Sequence, residues 1–379
     1  MDDATFMRQA LRLARRGEGR VEPNPMVGCL LVKAGRVVGQ GRHRRFGGPH
    51  AEVEALRDAG DRARGADAYV TLEPCAHHGK TPPCADALIQ AGVRRVVIAA
   101  ADPSPDAGGG AARLRDAGVD VELGVAEDEA RQLLAPFLKR LAAGLPYVIL
   151  KWAMTVDGAI ATAAGHSRWI SNPRSRKLVH RWRGRVDAVM VGAATLRADD
   201  PLLTARDAPK RRIARRVVVD PNLTAPLDAK LVQTADQTPT TIAASSRAIA
   251  DRAELAHALR AAGVDLFALD DAADAAHRRD AGLLSLTPLL HHLAAAHHAV
   301  NVLVEGGATL AGALLRQRLV DELRIFIGPR ALGDGQGLPP LQLPRGSDPP
   351  PRIDDAHALR LLQTRRLDDD LYLRYAVQP

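Results

Sequence analysis

Short apolar runs alternate with helical patterns along the first part of the chain. Apolar runs at 27–32 and 36–39, joined by a turn at 33–35, predict a β-hairpin. Further strands are predicted at 68–72, 95–100 and 119–123, and helices at 49–56, 84–90 and 111–117. Strands separated by helices are typical of an α/β sheet that is covered on both faces.

A break in this pattern predicts two domains. A helix predicted at 127–141 ends at Ala142-Ala143-Gly144-Leu145-Pro146, and a new apolar run starts at 147. We therefore expect domains at 1–145 and 146–379. The second repeats the pattern, with strands at 147–151, 188–192, 216–220, 300–304 and 323–327, a helix at 308–318 and a loop at 335–352. The halves share no motif, so they should carry different chemistry.

Composition supports a globular protein of this organisation. The chain has 379 residues, of which 46% are hydrophobic and 25% charged. Its 52 Lys and Arg exceed its 44 Asp and Glu by 8, which favours anionic partners. Aromatic residues make up 3%, too few for platforms that stack single-stranded nucleic acid. Three cysteines, no signal-like N-terminus and no apolar run of about 18 residues indicate a cytoplasmic protein that does not span a membrane.

One constellation in the first domain has the donor types of a zinc site. His50 and Glu52 open a predicted helix, Cys75 follows a strand, and Cys84 opens the next helix. One histidine and two cysteines leave the fourth position of a catalytic zinc ion to a water, which the metal activates. Glu52 is predicted to carry a proton from that water to a departing nitrogen. Zinc deaminases of nucleobases share His-x-Glu with Pro-Cys-x-x-Cys, whereas eight residues separate the cysteines here.

Longer strings around these residues narrow the class. They are Pro23-Asn24-Pro25-Met26-Val27-Gly28, Gly48-Pro49-His50-Ala51-Glu52 and Thr71-Leu72-Glu73-Pro74-Cys75-Ala76-His77-His78-Gly79-Lys80-Thr81-Pro82-Pro83-Cys84. With His43, they closely resemble the deaminase domain of the bifunctional deaminase/reductase family of riboflavin biosynthesis, in which the long spacer is usual. The resemblance implies a cytidine-deaminase-like, three-layer α/β/α domain with one zinc ion, and a substrate pocket lined by Asn24, His43, His77 and Lys80. Ser104 replaces the family's usual Asn, which leaves the fit of its loop to the substrate open.

Three segments of the second domain carry candidate chemistry. Lys151 ends a strand before a turn at 155–158, acids follow a helix-like segment at 195–201, and 304–310 has the order strand, Gly-Gly turn, helix start. Glycines in such a turn let a phosphate approach the exposed N–H groups of the helix N-terminus. The turn is not a Gly-x-Gly-x-x-Gly fingerprint, so no Rossmann domain is predicted.

With Ser167-Arg168-Trp169-Ile170-Ser171 and 187–192, these segments resemble the second domain of the same family, which is similar to dihydrofolate reductase in fold. The resemblance implies an α/β domain that holds NADPH through Ala153, Trp169, Thr195, Asp199, Gly307, Ala308, Thr309, Leu310, Ala311, Gly312 and Ala313. It places a sugar-phosphate substrate against Lys151, Ser167, Arg183, Leu203, Arg206 and Glu305. Guanidinium groups suit phosphate oxygens. Pro221 stands where a small residue is usual, and its missing N–H removes one possible cofactor contact.

Two further clusters receive simpler interpretations. The basic run at 210–216 is predicted to be a solvated loop leading into a strand, because no aromatic residue is interleaved as in a nucleic-acid patch. Two histidine pairs, at 291–292 and 297–298, lie in an Ala/Leu-rich helical stretch without a neighbouring acid or cysteine. We predict that they are surface residues of a helix.

The resemblance extends over about residues 3 to 375 and predicts a bifunctional enzyme. It would hydrolytically deaminate 2,5-diamino-6-(5-phosphoribosylamino)pyrimidin-4(3H)-one, then reduce the ribosyl side chain with NADPH to give 5-amino-6-(5-phosphoribitylamino)uracil. A homo-oligomer, dimer or tetramer, is typical of such families. One alternative is a nucleoside or tRNA deaminase fused to an unrelated reductase; another is a non-catalytic nucleic-acid binder, which would not need Glu52. The phosphates of substrate and NADPH account for the basic balance without nucleic acid.

Overall fold

The chain forms two units, each with its own sheet. The computed structural model describes residues 2–77, 82–104, 108–269, 284–333, 335–343 and 352–378. The first unit is Met1–Gly144 and the second is Leu145–Pro379. Among the described residues, no helix is both long enough and apolar enough to cross a membrane.

The first unit is built on a five-stranded sheet with the strand order β2-β1-β3-β4-β5. Its elements are α1 (Asp3–Ala14), β1 (Gly28–Lys33), β2 (Arg36–Arg42), α2 (Ala51–Ala59), β3 (Asp67–Val70), α3 (Cys84–Gln90), β4 (Arg95–Ile98), α4 (Gly110–Asp116), β5 (Asp120–Leu123) and α5 (Glu127–Ala143). Strand β1 pairs antiparallel with β2 and β3, and β3, β4 and β5 are parallel. The predicted hairpin is confirmed as β1 and β2.

Helices cover both faces of this sheet. On one face, Phe6 and Met7 of α1 and Leu133 of α5 pack in one buried cluster with residues of the strands. On the other, α2, α3 and α4 contribute Ala55, Leu88 and Leu114 to a second cluster. The predicted three-layer α/β/α architecture is therefore confirmed.

A glycine brings α2 against the sheet. A Cβ atom at Gly41 of β2 would lie 2.1 Å from the carbonyl oxygen of Ala51, closer than any real contact. Only glycine allows β2 and the first turn of α2 to approach this closely. That turn carries Glu52.

The second unit is built on a nine-stranded sheet with the order β10-β9-β8-β7-β11-β6-β12-β14-β13. Its elements are β6 (Tyr147–Met154), α6 (Pro173–Arg183), β7 (Ala188–Gly192), α7 (Ala193–Asp199), β8 (Arg215–Val219), α8 (Lys230–Gln233), β9 (Thr240–Ser245), α9 (Ser246–Asp251), α10 (Ala253–Ala261), β10 (Asp265–Leu269), α11 (Thr287–Ala296), β11 (Asn301–Gly306), α12 (Ala308–Arg316), β12 (Glu322–Ile327), β13 (Leu359–Leu367) and β14 (Asp370–Val377). The five predicted strands are confirmed as β6, β7, β8, β11 and β12. Four more, β9, β10, β13 and β14, extend the sheet at its two edges.

The apolar side chains of this sheet form a buried cluster on each face. One cluster includes Trp182 of α6, Phe326 of β12 and Tyr372 of β14, whose rings lie 5.1 to 5.7 Å apart. The other is formed by α11, α12 and the opposite face of the central strands. The α/β fold with a central, mostly parallel sheet matches the architecture that the resemblance implied.

The predicted solvated loop at 210–216 is wrong at its C-terminal end. Arg215 and Arg216 belong to β8, and Arg216 is 0% exposed. Its guanidinium group is inside the unit because it hydrogen-bonds the segment between α8 and β9. Charge alone suggested that Arg216 would be solvated, but a buried guanidinium group is tolerated when hydrogen bonds compensate its burial, and here both terminal nitrogens have acceptors.

Candidate active sites

Three segments of the first unit bring His50, Cys75 and Cys84 together. His50 is the N-cap of α2, Cys84 is the first residue of α3, and Cys75 lies in the segment between β3 and α3. Helices α2 and α3 pack on the same face of the sheet, and β3 is its central strand. The fold therefore converges three residues that lie far apart in the sequence.

The ligand atoms of this cluster have the spacing that a metal ion requires. Nδ1 of His50 lies 3.2 Å from Sγ of Cys84 and 3.7 Å from Sγ of Cys75, and the three atoms lie within 4.8 Å of one another. The backbone N–H of Cys84 donates to Sγ of Cys75 at 3.3 Å. Hydrogen bonds from the Cys84 thiol and from His50 hold the pKa of Cys75 well below its ordinary value, which favours the ligating thiolate. One imidazole and two sulfurs fit a zinc ion with three protein ligands.

Glu52 lies in the first turn of α2, beside this cluster. Its side chain is 3% exposed. Burial raises the pKa of Glu52 to about 7, against the opposing influence of its hydrogen bonds and of His50. A carboxyl group with a pKa near neutrality can both accept and return a proton, so the arrangement suits acid–base chemistry next to a metal-bound water.

The predicted pocket residues Asn24 and His43 contact each other near the metal ligands. Nδ1 of His43 lies 2.9 Å from the carbonyl oxygen of Pro49, and Nε2 lies 3.2 Å from Nδ2 of Asn24. A carbonyl oxygen only accepts, so Nδ1 carries the proton and Nε2 accepts from the Asn24 amide. The His43 ring stands edge-on to the His50 ring, with centroids 5.8 Å apart. Of the other predicted pocket residues, His77 is exposed and Lys80 lies outside the described residues.

The loop that departs from the family pattern is anchored by Glu73. This carboxylate accepts three backbone N–H groups of the loop and of the start of α4, those of Asp102, Gly109 and Ala111. Ser104 donates its backbone N–H to Asp102, and residues 105–107 lie outside the described residues. At Gly110, a Cβ atom would lie 1.8 Å from the carbonyl oxygen of Pro74. The loop and α4 therefore lie directly against the residue that precedes Cys75.

The second unit has a cleft of about 1310 Å³ beside β6, β7, β8 and β11. Fifteen predicted site residues line it: Lys151, Ala153, Ser167, Trp169, Arg183, Thr195, Asp199, Glu305, Arg206, Gly307, Ala308, Thr309, Leu310, Ala311 and Ala313. Pro221 lines it as well. Two predicted residues do not: the Leu203 side chain is 2% exposed within the core, and Gly312 packs against the carbonyl oxygen of Gln342, 2.0 Å from where its Cβ would be.

A glycine turn after β11 shapes one side of this cleft. Gly307 has a φ of +97° and is the N-cap of α12, whose first N–H groups receive no side-chain cap. At Gly306, a Cβ atom would lie 2.8 Å from the side chain of Thr195. Uncapped N–H groups at the start of a nine-residue helix can bind an anion, since the helix dipole favours negative charge there.

Three charged residues, Lys151, Arg183 and Glu305, form a charged trio that also lines the cleft. The guanidinium group of Arg183 donates two hydrogen bonds to the carboxylate of Glu305, at 2.6 and 2.7 Å. Burial would raise the pKa of Glu305, but Arg183 and then Lys151 outweigh it and lower the pKa. Burial lowers the pKa of Lys151, whose Nζ lies 6.0 Å from the Phe326 ring centroid. The trio offers fixed polar groups of both signs to a ligand.

Helix α6 adds cleft residues that the sequence analysis missed. Arg176 stacks on the exposed ring of Trp169, 4.4 Å from its centroid, so Trp169 is not a core aromatic. His180 accepts the backbone N–H of Arg206 and also lines the cleft. The sequence does contain a helix-start signal here, because Asn172 is the N-cap of α6 and Pro173 is its first residue.

In a comparison with known proteins, each unit matches a family model. Residues 1–100 match the model of the cytidine and deoxycytidylate deaminase zinc-binding region, and residues 146–373 match that of the RibD C-terminal domain. The riboflavin biosynthesis protein RibD of Aquifex aeolicus is 38% identical over 98% of this chain and 97% of its own length. That of Escherichia coli is 43% identical over 89% and 91%.

Solved structures agree over the full length. Acinetobacter baumannii RibD superposes with a TM-score of 0.82 at 37% identity, covering 100% of this chain and 99% of its own. A Thermotoga maritima protein described as a diaminohydroxyphosphoribosylaminopyrimidine deaminase/5-amino-6-(5-phosphoribosylamino)uracil reductase superposes with a TM-score of 0.81 at 32% identity, covering 99% of both chains.

Fold and sites together define a two-domain enzyme, a cytidine-deaminase-like domain with a zinc-binding region followed by a pyrimidine reductase with a dihydrofolate-reductase-like fold. Family models and full-length relatives then make the family plain. The chain belongs to the RibD family of bifunctional deaminase/reductases of riboflavin biosynthesis. Its reductase domain implies a nicotinamide cofactor, and its substrate class is a pyrimidine.

Proposed function

We propose that residues 1–145 hydrolytically deaminate 2,5-diamino-6-(5-phosphoribosylamino)pyrimidin-4(3H)-one. The oxygen of water becomes the new ring carbonyl and the amino group leaves as ammonia. Residues 146–379 then reduce the ribosyl side chain of the product to ribityl, with a hydride from NADPH and a proton. The observation that carries this proposal is that the two candidate sites lie in different units. The metal-ligand cluster of His50, Cys75 and Cys84 is in the first unit, and the large cleft is in the second.

In the deaminase, Glu52 is the catalytic acid and base. A bound zinc ion supplies an activated water when it is held by His50, Cys75 and Cys84. Glu52 accepts a proton at its carboxylate and returns it to the departing amino nitrogen. Its burial keeps bulk water from competing for the proton, and its place two residues after the His50 ligand keeps it within reach of the reacting atoms.

Asn24 presents its amide to the polar edge of the pyrimidine ring. His43 already uses both ring nitrogens, on Pro49 and Asn24, so it acts as a positioning residue for that amide. We assign His77 and Lys80 to the phosphoribosyl end of the substrate, where a lysine can act as a compact charge for phosphate.

In the reductase, the cofactor lies along the glycine turn. The free N–H groups in the first turn of α12, after Gly307, bind phosphate oxygens of NADPH, and the rest of the Gly307 to Ala313 segment forms the wall of this side of the cofactor. The rest of the cofactor side is formed by Ala153, Trp169, Thr195 and Asp199, all of which line the cleft.

The substrate lies against the charged trio and its neighbours. Glu305 accepts from Nε and Nη2 of Arg183 and so fixes the plane of the guanidinium group, whose remaining N–H groups on Nη1 and Nη2 bind the sugar phosphate. Lys151 lies near the ribosyl group and holds its polar atoms beside the cofactor. Ser167, Leu203 and Arg206 complete the substrate side; for Leu203, whose side chain is buried in the core, only the backbone is offered.

The two activities can be tested separately on the full chain. With the diaminopyrimidine and no NADPH, the enzyme should release ammonia; removal of zinc with a chelator should abolish this release. The same zinc-free enzyme should still oxidise NADPH when it is given the deaminated pyrimidine. Ammonia release at the parent rate after zinc removal would refute the assignment of deamination to a zinc site. Equal use of NADH and NADPH would refute the choice of NADPH as the cofactor.

We also propose a cytoplasmic homo-oligomer, which sedimentation of the purified protein and fractionation of cells would test.

A further inference from the structure

A second group of metal-binding side chains lies outside both proposed active sites. Asp265 begins β10, His292 lies in α11, and His297 is the residue that follows the last turn of that helix. One carboxylate oxygen and one nitrogen of each histidine lie within 4.8 Å of one another. None of the three residues lines the reductase cleft. Sequence reasoning missed this group because the acid is more than twenty residues away and comes from a different element.

The potential metal-ligand atoms of this group form no hydrogen bonds with one another. Nε2 of His297 lies 3.6 Å and Nε2 of His292 lies 3.9 Å from Oδ2 of Asp265, too far for hydrogen bonds. Both Nε2 atoms are shielded from solvent and have no hydrogen-bond partner among the described residues. Buried polar atoms are nearly always satisfied, so two imidazole nitrogens aimed at one carboxylate indicate a missing partner.

Neighbouring side chains hold the three donors in place. The Thr241 hydroxyl donates to Oδ2 of Asp265 at 3.1 Å. The Phe267 ring packs on the His292 ring with centroids 4.6 Å apart, and the two imidazoles stand edge to face at 4.9 Å. Supporting contacts of this kind orient the ligands of metal sites.

The positive charge of Arg215 lies beside Asp265 and would repel a bound cation. Nη1 of Arg215 lies 3.4 Å from Oδ2 of Asp265, and it also donates to the Thr241 hydroxyl at 2.9 Å. A metal ion would take over the Asp265 oxygen and leave Arg215 on Thr241. The opposing charge makes this site weaker than the His50, Cys75 and Cys84 site.

We propose that Asp265, His292 and His297 bind a second divalent transition-metal ion of the zinc type. Two imidazoles and one carboxylate are a donor set for zinc and related ions, and three protein ligands leave a position for water. Strand β10 is at the edge of the sheet, and the ion would fasten the C-terminal end of α11 to it. Because the unfolded chain lacks the preformed site, the ion would stabilise the folded unit.

Zinc content of full-length variants tests the proposal independently of catalysis. The Cys75→Ser, Cys84→Ser double variant lacks the deaminase ligands, so zinc that it retains after equilibration with micromolar zinc and desalting belongs elsewhere. We expect this variant to keep one equivalent of zinc, and a further His297→Ala or Asp265→Asn change to remove it. A further His291→Ala change is the matched control, because His291 is an exposed neighbour on the same helix, outside the cluster, and this variant should keep the metal.

A cobalt titration of the unaltered protein guards against variants that fail to fold. We expect two phases, one with the intense absorption of thiolate ligands and one without it, and only the second should disappear in Asp265→Asn. A double cysteine variant that folds by circular dichroism yet retains no zinc would overturn the proposal. So would zinc retention that neither Asp265→Asn nor His297→Ala reduces, or a cobalt titration with a single thiolate phase.

Discussion

At the scale of single residues, the chemistry of the deaminase site depends on hydrogen bonds that determine which atoms stay available. Pro49 fixes the proton of His43 on Nδ1, and Nε2 then accepts from Asn24. Burial also lowers the pKa of His43, which keeps the ring neutral and able to accept. In the function proposed above, the substrate would meet the Asn24 amide, and His43 would set the orientation of that amide.

Replacement of His43 should show this dependence directly. We expect His43→Ala to lower kcat/KM for deamination about 100-fold, the order of loss that a misplaced binding group causes. Asn24→Ala should lose a similar amount, and the double variant little more than either single one, because both changes remove the same interaction. Steady-state ammonia release measures all three. Fully additive losses would mean that His43 and Asn24 act independently.

The zinc ligands could be predicted from sequence because few residue types bind zinc and each ligand stands in a short recognisable segment, even though the segments lie far apart in the chain. The contacts of His43 could not, since they join segments whose approach depends on the tertiary fold. Leu203 shows the same limit: the family resemblance implied a place on the substrate side, but its side chain packs into the core.

At the scale of secondary-structure elements, one buried arginine organises the connection from α8 to β9. The Arg216 guanidinium lies within hydrogen-bond distance of the carbonyl oxygens of Leu231, Thr234 and Thr238, and of two threonine hydroxyls. None of these three carbonyls belongs to a strand, so Arg216 supplies donors that the sheet does not.

Loss of this side chain should therefore destabilise the second unit. We expect Arg216→Ala to lower the free energy of unfolding by about 3 kcal/mol, since two buried and three half-buried acceptors lose a donor, at a cost of about 1–3 kcal/mol for each buried one. Lys210→Ala, an exposed change in the same basic run, should stay within about 0.5 kcal/mol of the parent. Urea unfolding followed by reductase activity measures both. Equal stability of the two variants would show that Arg216 is dispensable.

Helix α4 packs closely against the segment that precedes the zinc ligand Cys75, and a substitution at Gly110 tests this packing. Gly110→Ala places a methyl group against the Pro74 carbonyl, so α4 and the segment before Cys75 must separate. We expect a loss of about 1–3 kcal/mol, typical of overpacking, together with weaker zinc retention. Ala112→Ser, on the exposed side of α4, is the matched control. Unchanged stability and zinc retention in Gly110→Ala would contradict the close packing.

Apolar patterning predicted the central strands of both sheets but not the edges of the larger one. Strands β6, β7, β8, β11 and β12 each contain an uninterrupted run of three or more apolar residues, which is typical of strands covered on both faces. Strand β13 is exposed along nearly its whole length and carries three arginines, so neither of its faces has an apolar pattern. Helix α6 buries only Ser175, Val179 and Trp182 among many basic residues, so its apolar pattern is weak. Arg183 at its end was predicted to line the cleft, whereas Arg176 and His180 were missed.

At the scale of the whole molecule, the chain combines two units with separate cores and separate chemistry. The deaminase residues all come from the first unit, and every residue that lines the reductase cleft comes from the second. Among the described residues, the metal-ligand cluster and the lining of the cleft therefore belong to different units. A change in one should leave the intrinsic activity of the other intact.

Two isosteric variants, measured side by side, test this separation most directly. Glu52→Gln removes the proton carrier of the first unit, and Glu305→Gln removes the charge that fixes Arg183 in the second. Both are assayed for ammonia release from the diaminopyrimidine and for NADPH oxidation with the deaminated pyrimidine. We predict that Glu52→Gln loses at least about 100-fold in ammonia release and keeps parental NADPH oxidation, and that Glu305→Gln shows the reverse pattern. Loss of both activities in either folded variant, or parental ammonia release in Glu52→Gln, would contradict the account.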